Sequence, residues 1–209
     1  DPDGTIHAQS PNKSPFVLRG WMARSLEVPP ERIVIEPSAI GGDFGGKGLT
    51  IDELPCYFLA RATGRPVRYV ETYTEELRIA PTRHAATIDL KTAVDREGRF
   101  VAHVSRVLFD GGAYAGGKAL PMVTPGLGYS TVPYWIPNSL VEALVVYTNG
   151  PAGSHVRAPV DVQVFFAWEQ HVDAIARDLG IDAIELRVRN VLRDGQSALT
   201  NEVLPEANG

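Results

Sequence analysis

Apolar positions change period several times along the chain, and each change predicts an element. Residues 5–9 alternate as a short strand, and Pro11 to Ser14 turn the chain into a helix reaching about Glu27. Phe16, Val17, Trp21 and Leu26 are available for one face of that helix. Residues 32–36 form a compact strand behind Pro29 and Pro30, and a second helix is expected from about Ile51 to Ala62. Asp52 and Glu53 suit its positive N-terminal end, and Gly64 stands where a C-terminal cap belongs. From Pro66 the period becomes two: residues 67–71, 85–94 and 100–109 read as paired strands, with residues 95–98 as a hairpin connection between the last two. Residues 140–147 are another strand. Residues 162–179 form an amphipathic helix that ends at Gly180, and a further helix starts at Asp182 and runs through Ile184, Leu186, Val188 and Val191. Residues 111–137 have no clear period and read as a long ordered loop or a pair of short helical turns. Helices that cross between strands, with hairpins in the middle, predict an α+β fold of two-layer α/β sandwich units with mixed and antiparallel strands.

Composition narrows the function. With 44% hydrophobic residues among 209, the chain carries enough apolar side chain to bury roughly 70% of its unfolded surface. Twenty Lys and Arg against twenty-five Asp and Glu leave a net charge of -5, so the basic surplus that phosphate-backbone binding demands is missing and nucleic acid is not an expected partner. The one cysteine, Cys56, excludes an internal disulfide and a cysteine metal cluster, and reads as a buried small hydrophobe. No apolar run approaches the roughly 18 residues that span a bilayer. Asp1-Pro2-Asp3-Gly4 has neither an initiator methionine nor a leader pattern. An excised piece of a cytoplasmic protein is therefore expected, or a periplasmic one if a signal lies on a missing segment or a partner.

Five glycines in nine residues mark Ile40-Gly41-Gly42-Asp43-Phe44-Gly45-Gly46-Lys47-Gly48. A strand, a glycine loop and a helix in that order can turn backbone N–H groups toward an anion. Gly41, Gly46 and Lys47 satisfy most of a nucleotide-binding phosphate loop, but Gly48 lacks the hydroxyl that would hold Mg²⁺. Phe44 argues against a plain mobile turn, since a large apolar residue among glycines must be held somewhere.

The loop does not stand alone. Together with Gln9, Arg83-His84, Gly112-Ala113-Tyr114, Pro133-Tyr134-Trp135-Ile136-Pro137-Asn138, Thr148-Asn149-Gly150-Pro151 before Arg157, Glu169 to Asp173 and Leu186 to Asn190, it resembles the molybdenum-binding subunit of the xanthine dehydrogenase and aldehyde oxidase family, almost end to end. The resemblance implies that residues 1–209 are the first molybdopterin-cofactor-binding domain of a larger subunit, whose second half is missing. Gln9 would hydrogen-bond an oxo ligand of molybdenum, an amide being able to donate without ionising. Gly42, Phe44 and Gly45 would lie against the metal and pterin, and Arg157 would contact the cofactor through its planar guanidinium. The family's general-base glutamate belongs to a segment beyond Gly209, so no catalytic residue is assigned.

The same resemblance implies an oxidoreductase that hydroxylates an aldehyde or N-heteroaromatic carbon with water-derived oxygen. This chain alone would be inactive. The cofactor would be the cytosine dinucleotide form of molybdenum-molybdopterin, with [2Fe-2S] and FAD on partner domains or subunits. Three positions that contact substrate in purine-oxidising members are occupied here by Gly48, Pro125 and Pro159, so xanthine is not the expected substrate. A noncatalytic assembly module of the same family and a phosphate-loop nucleotide-binding domain are the alternatives. His84 and His171 lack ligand spacing, Glu71, Glu75 and Glu76 beside Arg68 and Arg78 read as a solvated charge run, and Trp21, Trp135 and Trp168 read as packing residues, with Trp135 near the substrate channel.

Overall fold

A computed structural model of the protein describes residues 1–48, 52–80, 82–114, 133–154 and 156–196. The chain forms two compact units, Asp1–Pro81 and Thr82–Gly209.

The first unit begins with a β-α-β arrangement: β1 (Ile6–Ser10), α1 (Pro15–Leu26) and β2 (Ile33–Pro37). The two strands pair in parallel, Gln9 opposite Glu36. Helix α1 buries Leu18, Met22 and Ala23 against Ile33, with Ile6, Ala8, Leu26 and Ile35 packed around them. That inward stripe is not the expected one, because Phe16 is 78% exposed and Val17 also faces out. The i, i+4 succession of Leu18, Met22 and Leu26 supplies a straighter apolar stripe than the four residues chosen from the sequence. Helix α2 (Glu53–Thr63) ends at a left-handed Gly64, as expected, and adds Leu54 to the same core. Asp52 precedes it without a capping hydrogen bond, and Cys56 is half-buried rather than buried. Residues 67–71 are not a strand, and Val70 is exposed. Instead, Thr72 and Glu75 close a reciprocal capping box that starts α3 (Tyr73–Ile79). The charge run there thus contains a helix start, in the Thr-x-x-Glu spacing that satisfies two orphan N–H groups.

The second unit is built on a three-stranded sheet in the order β4 (Ala86–Val94), β5 (Phe100–Gly112), β6 (Asn138–Tyr147), with a separate short parallel pair of β3 (Thr82–Arg83) and β7 (Gly153–Ser154). β4 and β5 are antiparallel, whereas β5 and β6 are parallel across a connection that includes residues 115–132, which lie outside the described residues. The hairpin at residues 95–98 is formed as expected. Asp95 Oδ1 accepts from the N–H groups of Glu97 (3.0 Å) and Arg99 (2.8 Å), and Gly98 is left-handed at φ +80°. A Cβ on Gly98 would stand 2.8 Å from Ile181 Cδ1, so any side chain there would have to displace that methyl in addition to adopting a strained left-handed backbone.

Alternation sends Ala86, Ile88, Leu90, Thr92 and Val94 of β4, and His103, Ser105, Val107 and Phe109 of β5, to one face. Helix α4 (Asp161–Leu179) lies on that face and buries Val164, Trp168, Val172 and Ala176, a strict four-residue stripe. Phe166 is exposed. Trp168 is 1% exposed and meets Phe100, Tyr134 and His103 edge-on, with centroid separations of 5.9, 5.7 and 4.3 Å. Its reading as a packing residue is correct.

Helix α5 (Ala183–Asn190), capped by Asp182, turns Leu186 and Asn190 inward and leaves Ile184 and Val188 exposed. Asn190 Oδ1 accepts from Phe100 N–H (2.7 Å), and Asn190 Nδ2 donates to the carbonyls of Gly98 (2.8 Å) and Leu186 (2.9 Å). Arg187 donates to Glu169 and Asp173, each at 2.8 Å, and Tyr134 OH donates to Glu169 Oε1 at 2.9 Å. Burial and the Glu169 hydrogen bond push the Tyr134 phenol up, so it stays neutral and keeps its proton for that bond.

Replacing Asn190 with Ala orphans the buried Phe100 N–H and Gly98 carbonyl together. We expect a stability loss of about 2–4 kcal/mol in urea unfolding. A pH dependence also follows from His103, whose Nδ1 lies 2.9 Å from Thr92 Oγ1, with His171 Nε2 3.0 Å away on the same hydroxyl. Burial first and the His171 charge second pull His103 down to about 4. The unfolded chain binds this proton near the ordinary value of about 6.5. Stability is therefore complete above that pH and declines as pH falls toward 4. The urea midpoint is expected to be lower at pH 5 than at pH 7.

Candidate cofactor-binding site

In the first unit the predicted residues stand at the carboxyl edge of the parallel strand pair, where open α/β arrangements place ligands. Gln9 is exposed, one residue before the end of β1, and its side-chain amide has no partner among the described residues. The turn that follows is braced by polar contacts. Ser10 Oγ donates to Glu53 Oε1 (2.6 Å) and accepts from Asn12 N–H (3.2 Å), and Asn12 Oδ1 accepts from Ser14 N–H (2.7 Å). This turn is tied to the glycine loop through Lys13, whose N–H donates to Lys47 O (2.9 Å) and whose Nζ meets Asp43 Oδ2 (2.7 Å). The structure thus brings the end of β1 and the glycine loop together.

Asp43 organises the loop from inside. Its carboxylate accepts from Gly45 N–H (2.8 Å) and Lys47 N–H (2.7 Å) as well as from Lys13, and its carbonyl accepts from Gly46 N–H (2.9 Å). The Lys13 hydrogen bond is the largest of the effects that hold its carboxyl down at about 2. The N–H of Gly45, expected to reach a cofactor oxygen, is thus occupied by the loop itself. The N–H groups of Gly42 and Phe44 have no partner among the described residues. Lys47 Nζ donates to the Ile40 carbonyl, so the cation a nucleotide phosphate would require is also committed.

Phe44 is not held in a core. It adopts φ +49° and is 65% exposed, with Gly45 following at φ +103°. A left-handed conformation costs a residue with a Cβ about 1–2 kcal/mol. Gly42 makes room for the ring: a Cβ there would stand 2.8 Å from Phe44 Cε2.

Arg157 lies in the second unit. It is exposed, and its guanidinium has no partner among the described residues. It follows a turn fixed by Asp110, whose Oδ1 accepts from Gly112 N–H (2.8 Å) and Thr148 Oγ1 (2.6 Å). Those bonds hold the Asp110 carboxyl below its usual range. Beyond Arg157, Ala158 (φ +54°) and Val160 (φ +61°) are both left-handed without being glycine. Two such residues flanking Pro159 make this a strained segment, of the kind found at binding sites. His84 is buried beside it as a structural residue, with Nδ1 2.7 Å from the Asp110 carbonyl, and Gly153 leaves it space, since a Cβ at 153 would lie 2.1 Å from that nitrogen. Position 125 lies outside the described residues.

Residues 1–191 match the family described as the molybdopterin cofactor-binding domain. The chain belongs to that family. Among curated proteins, the domain is 34% identical over 191 residues to a probable xanthine dehydrogenase subunit of Bacillus subtilis, covering 90% of this chain and 25% of that protein. It is 31% identical over 210 residues to the nicotinate dehydrogenase large molybdopterin subunit of Eubacterium barkeri, covering 100% of this chain and 49% of that protein. Among solved structures, the aldehyde oxidoreductase of Desulfovibrio gigas superposes with a TM-score of 0.90 at 28% identity, over 97% of this chain and 22% of that one. The molybdopterin-binding domain therefore spans about a quarter to a half of the length of these curated relatives. The α+β reading agrees with these neighbours, and the family match supports neither the nucleotide-binding nor the noncatalytic alternative.

The residues at the glycine loop fit a pterin and a metal oxo group. An exposed ring, two open N–H groups and the Gln9 amide supply a flat apolar contact and neutral donors. Sequence reasoning missed the part played by Asp43, although an Asp two residues before a loop glycine signals a side-chain-closed turn. We expect Asp43→Asn to leave the fold intact while hydrogen exchange at the Gly45 and Lys47 amides of this molybdopterin-binding domain rises at least tenfold. In the parent, whose carboxyl is depressed, the same protection is complete above about pH 4 and is lost as pH falls toward about 2.

Proposed function

We propose that this chain supplies the first half of a cofactor cradle in a molybdenum hydroxylase, an enzyme that hydroxylates an aldehyde or N-heteroaromatic carbon with oxygen from water and passes two electrons onward. The observation that carries this reading is Phe44: a strained, solvent-facing aromatic ring on a loop whose other groups are largely satisfied internally. An apolar ring held in water at a conformational cost is best explained by something that covers it. When bound, the molybdenum cofactor supplies the oxygen and hydride chemistry. Gln9 donates a hydrogen bond without bringing a charge, Phe44 and Gly45 flank the pterin with Gly42 giving the ring its space, and Arg157 offers a forked cationic donor to an oxygen-rich group.

The cofactor is taken to be the cytosine dinucleotide form, with [2Fe-2S] and FAD on partner domains or subunits and the general base on the remainder of the molybdenum subunit. Residues 1–209 then form the first cofactor-binding domain of that subunit, working in the cytoplasm and inactive alone. Among the described residues no helix is long and apolar enough to cross a membrane. Gly48 and Pro159 support a non-purine substrate, since neither can make the polar or stacking contacts that purine-oxidising members place there.

Molybdenum and acid-released CMP are to be measured per chain in two samples from a host that synthesises the cofactor: the 209-residue chain alone, and the chain joined to its natural downstream region. Near-equal molybdenum and CMP in the joined form, with little in the chain alone, is the expected result. Phe44→Ala in the joined form should lower both at least tenfold with an unchanged circular dichroism spectrum. Absence of molybdenum from both parent samples would sink the reading.

A further inference from the structure

We propose that Arg83 is a positioning residue for the cofactor site, a clamp that fixes the backbone of the Arg157–Val160 segment. The proposal rests on the reading of Arg157 as a cofactor contact. Arg83 sits at the end of β3, far from Arg157 in sequence. Its guanidinium nevertheless closes on that segment as a fork: Nη2 donates to the Arg157 carbonyl (2.8 Å) and Nη1 to the Ala158 carbonyl (3.0 Å). Gln163, in the first turn of α4, backs the fork. Its Oε1 lies 3.4 Å from Arg83 Nη1, and its Nε2 donates to the His84 carbonyl (2.8 Å), the residue next to Arg83.

The fork answers a defined need. Ala158 and Val160 are both left-handed, and a residue before proline ordinarily avoids helical backbone angles, so nothing local favours this path. The two carbonyls converge on one point at the surface, and a planar guanidinium with parallel N–H groups meets both at once, tying them together in a way separate waters would not. At the other end of the segment, the Val160 side chain is buried with Val107, Phe109 and Val164. The strained stretch is therefore pinned twice, by charge-assisted hydrogen bonds at Arg157 and Ala158 and by apolar packing at Val160. At the first pin, the Arg157 side chain itself is left exposed and unpartnered among the described residues. A residue whose backbone carbonyl is clamped has fewer ways to place its side chain, and that pre-organisation favours binding. A lysine at 83 would keep the charge and lose the fork.

The test uses the full molybdenum subunit that contains this chain, carrying Arg83→Gln, Arg83→Lys, Arg83→Ala or Arg157→Ala. Two quantities are read: molybdenum per chain from a cofactor-producing host, and hydrogen exchange of the Val164 amide in apoprotein from a cofactor-deficient host. That amide donates to the Val160 carbonyl and reports on the segment without any cofactor. Arg83→Gln and Arg83→Lys should each speed Val164 exchange at least tenfold, leave the Val172 amide protected, and lower molybdenum as far as Arg157→Ala does. Guanidinium added to Arg83→Ala should restore protection and loading, which a general folding defect would not permit. Unchanged Val164 exchange in Arg83→Gln overturns the clamp, and so does full recovery in Arg83→Lys. Faster exchange with undiminished molybdenum overturns the link to the site. In that case Arg157→Ala separates the causes: if it loses molybdenum the clamp idea has failed alone, and if it keeps molybdenum the reading of Arg157 has failed and the proposal falls with it.

Discussion

The packing of α4 on the inner face of β5 is the contact on which the second unit depends. Val164, Trp168, Val172 and Ala176 repeat every four residues, so one narrow side of the helix reaches the sheet along its whole length. Trp168 touches Phe100 and His103 of β5 as well as Tyr134, and burying so large a ring is worth several kcal/mol, about 3–5 by truncation. The same packing sets where the helix begins. Val160 is buried in the cluster of Val107, Phe109 and Val164, and it is left-handed where the chain enters α4. Apolar packing at Val160 and the Arg83 fork at Arg157 and Ala158 together hold the segment around Pro159.

The first unit reaches a similar end by different means. Its glycine loop has no core to lean on, and a single carboxylate, Asp43, gathers Lys13 and two loop N–H groups into a closed turn. What the closed turn leaves over is the Phe44 ring and the N–H groups of Gly42 and Phe44. In both units a braced turn leaves side chains assigned to the cofactor uncommitted among the described residues: the Gln9 amide and the Phe44 ring in the first, the Arg157 guanidinium in the second. Motifs that resemble the molybdenum hydroxylases divide along the same line. Glu169, Asp173, Arg187 and Asn190 hold helices and strand together, whereas the polar ends of Gln9 and Arg157 and the ring of Phe44 have no polar or ring partner among the described residues.

The sequence by itself determined most of the elements. Period-two and period-3.6 patterns located β1, β2, β4, β5, β6 and the long helix, and glycines at 64 and 180 marked helix ends because the left-handed cap favours a residue without a Cβ. The order of its motifs determined the family, which rests on residue identity at many separated positions and needs no coordinates. Local pattern was insufficient at residues 67–71, where alternation without a neighbouring strand makes no sheet, and in α1 and α5, where several apolar candidates competed and only the partner surface chose Leu18 over Phe16 and Leu186 over Ile184. Only the tertiary structure decided that Phe44 faces solvent, that the Gly45 N–H is spent on Asp43, and that Arg83 grips the backbone at Arg157. The Arg83 grip joins residues distant in the chain, and the Gly45 bond, though local, is made by a carboxylate that Lys13 holds from across the chain. No periodicity records them, because a carbonyl has no side chain to announce where it will point.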